Sequence, residues 1–314
     1  LESYATCPFR FLAERVLKIE PLEDIELAVD YRARGQLVHG ALARLHQRVN
    51  DARGGPTSPG DLDEETFDGF LAETLDALER RGGGPLDEAL DAIDRRLWRE
   101  WAQEYQQQHR DYDALWDDCS DKPKPTWFEV SFGRARGSES PVSCEEPLEL
   151  AIGGEEVRIA GRIDRLDLGA AAGRRVFNVI DYKTGTRASF APEAAVQGTA
   201  LQLPLYVMAA EQLLLVGERA VPWQAGYWLL QDKGFKPRRA LKAHRCSEDQ
   251  IEVEPTWKDL RAKIPSTVKA LVEGMRRGQF PVDSVDEQCT RNCPMRTICR
   301  INQVRSLEKT WQRP

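Results

Sequence analysis

The sequence has no run approaching the roughly 18 consecutive apolar residues of a membrane span, and nothing at its start resembles a signal peptide. Both absences lead to the expectation of a soluble, cytoplasmic protein. No G-x-x-x-x-G-K-[ST] loop is present, so any ATP-driven work has to come from another chain or segment. No internal repeat is visible. The first residue is Leu1 rather than an initiator methionine, and Cys7, a candidate site residue, stands almost at the start, so we expect a piece of something longer. The seven cysteines are an odd number in a chain without a secretion signal, which argues against a disulfide framework.

What is there suffices for a substantial core. The 314 residues are 41% hydrophobic and 30% charged, at the upper size for one domain, so one elaborated domain is expected. The net charge of −7 is unevenly spread: residues 61 to 118 hold 18 Asp and Glu against 6 Lys and Arg, which leaves the remainder net positive. The segment "DKGFKPRRALKAHR", 232 to 245, carries Lys233, Lys236, Arg238, Arg239, Lys242 and Arg245 against one acid, Asp232. It reads either as a solvated loop or as a phosphate-contacting track.

Periodicity divides the chain. "PFRFLAERVLKI" reads as a short helix after Cys7, with Pro8 in its first turn. In "GQLVHGALARLHQRV" the apolar positions Val38, Leu42, Leu45 and Val49 share one helical face, and His39 lies at its border. Two acidic amphipathic helices follow near 64 to 81 and 86 to 109, separated by "GGGP". In the second, Leu86, Leu90, Ile93, Leu97 and Trp101 are expected to pack. From about 126 the period becomes two, with strands in "TWFEVSFG", "PLELAI", "EEVRIAGRIDRLDL" and "RVFNVIDYK". Then come a helix near 201 to 216, the strand "AGYWLLQ" and a helix near 256 to 277. The order fits an α/β fold with a mixed sheet flanked by helices. The expected division is 1–49 for the N-terminal cysteine and helices, 50–120 for a helical insertion, 121–254 for the core sheet, and 255–314 for the last helix and a cysteine triplet.

The chemistry concentrates in "GRIDRLD", 161 to 167, and "NVIDYKTG", 178 to 185. Asp181 and Lys183 are two apart on a strand and so emerge on one face. A hairpin turn centred between Ala172 and Gly173 sets Asp164 opposite Asp181. Two facing carboxylates cannot both stay ionised cheaply without a cation between them. Oxygen ligation with room for water suits Mg²⁺ or Mn²⁺, ions that polarise a phosphoryl oxygen. Lys183 then orients water or stabilises charge. The alternative is ordinary ion pairing of Asp164 with Arg162 or Arg165, and of Asp181 with Lys183. Charged residues inside an apolar strand favour the first reading.

Four cysteines stand out: Cys289, Cys293 and Cys299 in "CTRNCPMRTIC", with Cys7 in "YATCPFRF" as a fourth thiolate. Proline follows both Cys7 and Cys293, a habit of iron-sulfur ligation, although four thiolates also suit Zn²⁺. Cys119, Cys144 and Cys246 read as isolated packed thiols.

"GRIDRLD" followed by "VIDYKTG", with His39 upstream in "RGQLVHGAL" and Gln202 and Tyr206 downstream in "LQLPLY", resembles the PD-(D/E)XK nucleases. The likeness is to the RecB-like branch that includes the AddB, Cas4 and Dna2 types. All four elements occur in the expected order. The resemblance implies a restriction-endonuclease-like mixed sheet, and it implies that His39, Asp164, Asp181 and the backbone carbonyl of Tyr182 hold the metal. It further implies that Lys183 assists attack by water and that Gln202 and Tyr206 help position the strand. Glu129 falls where the branch often carries an acidic strand residue. The same branch ligates a [4Fe-4S] cluster with one cysteine before the nuclease core and three after it, here Cys7, Cys289, Cys293 and Cys299. Cys289 and Cys293 have three residues between them where two is commoner. A staple between positions so distant is expected to be structural, its loss loosening the rim near the DNA path before it reaches the metal chemistry. The opening "SYATCPFRF" and the spacing of the flanking cysteines are most like the C-terminal nuclease domain of the AddB type. That implies exonuclease degradation of single-stranded DNA at double-strand ends, the 5′-terminated strand, beside an AddA-type helicase-nuclease partner. A standalone Cas4-like or phage-defence exonuclease, and a non-catalytic Fe-S or Zn DNA-binding scaffold, are the alternatives.

Overall fold

In the computed structural model the described residues are 1–20, 31–77, 84–133, 140–152, 154–185, 188–247, 250–291 and 293–306. The chain opens with α1 (Glu2–Thr6) and α2 (Pro8–Phe11), the latter running into a π-turn over Leu12–Val16. Next come α3 (Tyr31–Arg53), α4 (Glu64–Asp76) and α5 (Pro85–Asp113). The end expected for the first acidic helix, 78 to 81, lies outside the described residues. Strands β1 (Asp121–Phe132), β2 (Leu148–Ile152), β3 (Glu155–Ile159), β4 (Gly161–Ala171) and β5 (Arg174–Lys183) follow. After α6 (Pro192–Val196) and α7 (Gln202–Ala209) come β6 (Val221–Leu229), β7 (Gly234–Phe235), β8 (Leu241–Lys242), β9 (His244–Ser247) and β10 (Gln250–Val253), then α8 (Pro255–Arg276) and α9 (Ile301–Ser306). Among the described residues no helix is long and apolar enough to cross a membrane.

The main sheet runs β1-β4-β5-β6-β7, with β8 also on β6. The β5/β6 pair is parallel and the others are antiparallel, so the sheet is mixed as expected. The run "EEVRIAGRIDRLDL" divides: its first part pairs with β2 as a separate hairpin and its second part enters the sheet as β4. Strands β4 and β5 are central and buried on both faces, hence their dense apolar content. One face packs on α1, α7 and α8 through Phe177, Val179, Leu203, Val207 and Ile264. The other packs on α3 and α5 through Val38, Leu45, Tyr105, Ile180 and Trp228.

In the row expected to pack on α5, Trp101 packs against the second core and Leu90 and Leu97 are half-buried, but Ile93 is exposed, and the buried residues come later, at Ala102, Tyr105, His109 and Tyr112. Only the C-terminal half of α5 lies on the sheet, and its buried face is largely aromatic and polar. The segment expected as an insertion thus supplies much of the second core.

The basic segment 232 to 245 is a set of short strands whose Phe235, Leu241 and Ala243 are buried. Lys233, Arg238, Arg239, Lys242 and Arg245 remain at least partly exposed.

Candidate active site

The β4-β5 hairpin has the expected register, with Ala171 opposite Arg174 and Arg165 opposite Ile180. Its turn is made by Ala172 and Gly173, both at positive φ, a pattern that matches the twist of a two-residue hairpin. Carrying that register one step further faces Asp164 with Asp181. The Tyr182 N–H donates to Asp164 Oδ2 at 2.8 Å, which ties the carboxylate to the neighbouring strand. Tyr182 therefore meets Asp164 through its N–H, whereas the resemblance called on its carbonyl.

Across β1 and β4, Phe128 pairs with Arg165 and Val130 with Ile163, so Glu129 stands opposite Asp164. Glu129 has φ of 49°, a left-handed conformation uncommon for a residue with a Cβ. The kink breaks the alternation of faces. Phe128 stacks on His46 on the α3/α5 side, while Val130 and Ile163 enter the core under α7 and α8. The two acids sit where both strands change face.

His39 reaches this point from α3, with Nδ1 3.3 Å from Asp164 Oδ1. Ligand atoms of His39, Glu129 and Asp164 all lie within 4.8 Å of one another. Glu129 is also paired with Arg162 Nε at 3.1 Å, so Arg162 serves Glu129 rather than Asp164. On β5, Lys183 Nζ is 2.5 Å from Asp181 Oδ2, and Gln202 Nε2 donates to Asp181 Oδ1 at 2.5 Å. Gln202 Nε2 also lies 3.4 Å from Tyr206 Oη, one turn along α7. Gly161, at the head of the motif, has no room for a side chain, because a Cβ there would fall 2.8 Å from Phe132 and 3.1 Å from Tyr206.

The electrostatics follow from this crowding. Burial, then the nearby Asp164 charge, pushes the Asp181 carboxyl up to about 6, against the pull of Lys183. Burial and Asp164 likewise raise Glu129. Burial draws the His39 imidazolium down, but the hydrogen bond and charge of Asp164 outweigh it, so His39 lies above its usual pKa. Burial pushes Tyr206 up to about 12. Three carboxylates crowd at the site, and its nitrogen and oxygen donors suit a hard divalent cation. Beside it an open groove of about 510 Å³ is lined by Glu2, Arg158, Gly161, Gln202 and Tyr206.

All six residues proposed for catalysis from the sequence, His39, Asp164, Asp181, Lys183, Gln202 and Tyr206, belong to this one constellation. Tyr227 was not foreseen. It pairs with Asp181 across β5/β6, and Lys183 Nζ lies 5.1 Å from its ring centroid. The parallel register, which a sequence does not display, is what brings it there.

On the far side of α1, Cys7, Cys289, Cys293 and Cys299 line one pocket of about 170 Å³ with Arg10 and Arg296. Burial, and behind it the three other thiols, raises the Cys7 pKa. No three of these sulfurs lie within 4.8 Å of one another, since His39, Glu129 and Asp164 are the group that meets that spacing among the described residues. Cys119, Cys144 and Cys246 are free and stand apart from this pocket, packed against the two cores.

Residues 1–300 match the PD-(D/E)XK nuclease superfamily. The sequence is 27% identical over 273 residues to one subunit of the ATP-dependent helicase/deoxyribonuclease of Carboxydothermus hydrogenoformans, covering 83% of this chain and 22% of that protein. It is 29% identical over 241 residues to the corresponding subunit of Moorella thermoacetica, covering 76% and 20%. A shorter match, 134 residues at 37% identity, joins it to the Desulforudis audaxviator subunit, covering 39% and 11%. The chain spans about a fifth of the length of the first two of these relatives.

Proposed function

Because this chain belongs to the PD-(D/E)XK nuclease superfamily, we propose that it hydrolyses phosphodiesters of single-stranded DNA at the constellation around Asp164 and Asp181. The observation that carries this reading is the meeting of His39, Glu129 and Asp164 within 4.8 Å, beside the Asp181–Lys183 pair. The donor set fits Mg²⁺ or Mn²⁺, with His39, Asp164 and Asp181 as ligands and the Tyr182 backbone alongside. When bound, such an ion supplies Lewis-acid polarisation and neutralises charge at the phosphoryl group. Lys183, partly exposed above Asp181, orients the attacking water. Gln202 holds Asp181 in place, and Tyr206 steadies Gln202. Two relatives that cover most of this chain are named as helicase/deoxyribonuclease subunits, which supports a role as the nuclease module of a longer polypeptide acting with a helicase-nuclease partner at DNA ends.

The same reading assigns Cys7, Cys289, Cys293 and Cys299 to a [4Fe-4S] cluster. The four thiols line one pocket, which supports a shared centre, and the prolines after Cys7 and Cys293 favour iron-sulfur ligation over zinc. Anaerobically purified protein is expected to be brown; colourless protein with stoichiometric zinc overturns the cluster.

The activity is tested by digesting end-labelled single-stranded DNA with Mg²⁺, comparing the parent with Asp181→Ala. Cleavage by the parent alone is expected, and the labelled products report polarity. DNA binding without cleavage by either protein moves the scaffold reading ahead.

A further inference from the structure

The cysteine-bearing start of the chain touches the acid site directly. Helix α1 is short but held at several points. Tyr4 is fully buried, edge-on to Phe11 at 5.6 Å and Phe280 at 5.9 Å, and its Oη donates to the Gln279 carbonyl at 2.7 Å. On α8 only glycine fits opposite it, since a Cβ at Gly274 would lie 2.5 Å from Tyr4 Oη. At the end of α1 the Thr6 carbonyl accepts from Val285 N–H at 3.0 Å, on the segment leading to Cys289, and Cys7 follows immediately.

The start of α1 points the other way. Glu2 Oε1 accepts from the backbone N–H of Gln202 at 2.7 Å. That N–H is a first-turn donor of α7 with no intrahelical acceptor, and the local N-cap residue, Leu201, has no side chain that can take it. A carboxylate at a helix N-terminus is also favoured by the helix dipole. The side chain of the same Gln202 donates to Asp181 Oδ1. One short helix thus links the thiol pocket to a carboxylate of the acid site, with Gln202 between.

We propose that Glu2 is a positioning residue for the metal site: its carboxylate fixes the first turn of α7 and so the Gln202 side chain that orients Asp181. This rests on the nuclease reading for the metal role of Asp181.

The test is Mn²⁺ binding to the full chain, followed by electron paramagnetic resonance of the free ion, in the parent, Glu2→Ala, Glu2→Gln and Tyr4→Phe. Glu2→Ala is expected to bind about tenfold more weakly, the usual scale when a group supporting a metal ligand is lost. Glu2→Gln keeps an oxygen that can accept from the helix and is expected within about twofold of the parent. Tyr4→Phe loosens α1 without touching Glu2 and is expected to lower the melting temperature while leaving Mn²⁺ affinity unchanged. Parent-like affinity in Glu2→Ala, a loss in Glu2→Gln as large as in Glu2→Ala, or an equal loss in Tyr4→Phe overturns the proposal. Binding in the expected order without DNA cleavage by the parent overturns the nuclease reading and leaves the relay standing. A parent that binds no Mn²⁺ overturns both.

Discussion

Strands β4 and β5 carry charge on both faces, and the two faces treat it oppositely. Toward α3 and α5, Arg165 and Asp167 are completely buried and fully partnered. Arg165 donates to Asp167 through Nε at 2.6 Å and Nη2 at 2.7 Å, and its Nη1 reaches Tyr105, His109 and Tyr182 at 3.1 to 3.2 Å. Tyr112 Oη donates to Asp167 Oδ2 at 2.8 Å and accepts from Asn178 at 2.7 Å. The guanidinium also lies 4.7 Å from the Trp228 ring centroid. Toward α7, by contrast, Glu129, Asp164 and Asp181 crowd together, and the Asp164 charge adds to burial in pushing the other two pKa values upward. A buried charge with every partner in place specifies a fold, and a crowd of like charges that push one another's pKa upward marks a candidate functional site.

The comparison can be broken from either side. The largest effect is expected on the crowded face: Asp164→Ala or Asp181→Ala should abolish DNA cleavage while the protein stays as stable as the parent. Gel analysis of end-labelled DNA and a denaturant melt check both halves, and retained cleavage would overturn the proposed metal site. On the satisfied face, Arg165→Met strands a buried carboxylate and should cost about 3–5 kcal/mol in a denaturant melt. A loss below about 1 kcal/mol would mean that Asp167 is neutralised cheaply by Tyr112 alone.

The third expectation concerns pH. Burial, with the Arg165 charge behind it, holds His46 and His109 well below their usual pKa of 6.5. Nη1 of Arg165 can only donate, so His109 Nε2 accepts from it, and the ring proton sits on Nδ1, 3.4 Å from Ser58 Oγ. Below about pH 6.5 the unfolded chain binds protons on both rings and the folded chain does not, so stability falls as pH falls. Asp113 and Asp181, each raised to about 6 mainly by burial, gain their protons in the folded state first, and the raised Glu129 and His39 act in the same direction, so these groups offset part of the fall. The two histidines alone account for a fall of about 2–4 kcal/mol between pH 7 and pH 5. Melts at the two pH values should show a smaller fall in His109→Gln; identical slopes would remove the histidine from the account. The smallest effect is Tyr112→Phe, which removes one hydroxyl from the satisfied network. It should cost about 1–2 kcal/mol by denaturant melt with cleavage unchanged, and a matching loss of cleavage would show the two faces to be coupled.

Much of this was legible in the linear sequence. Two apolar runs with charges two apart, joined by a glycine-containing loop, announce a hairpin, and a two-residue turn fixes its register, so Asp164 and Asp181 could be set opposite each other from residue spacing alone. Cysteines marked by following prolines could be grouped for the same reason: the signal is carried by residue type and local spacing. Arg165 and His109 were not legible. Each resembles an ordinary surface residue on its own element, and their burial depends on partners 56 residues apart in the chain.

The sequence by itself therefore determined the strands, the β4-β5 register, the α3 face that brings His39 inward and the cysteine quartet, because periodicity and turn chemistry are local. Only the tertiary structure decided which acids crowd, which charge is sequestered and what α1 touches. The left-handed kink at Glu129 moves two strands from one face to the other, the parallel β5/β6 register delivers Tyr227, and packing of α1 against α8 lays Glu2 on Gln202, 200 residues away. Those contacts join segments remote in the chain, and no local pattern encodes which of them will meet.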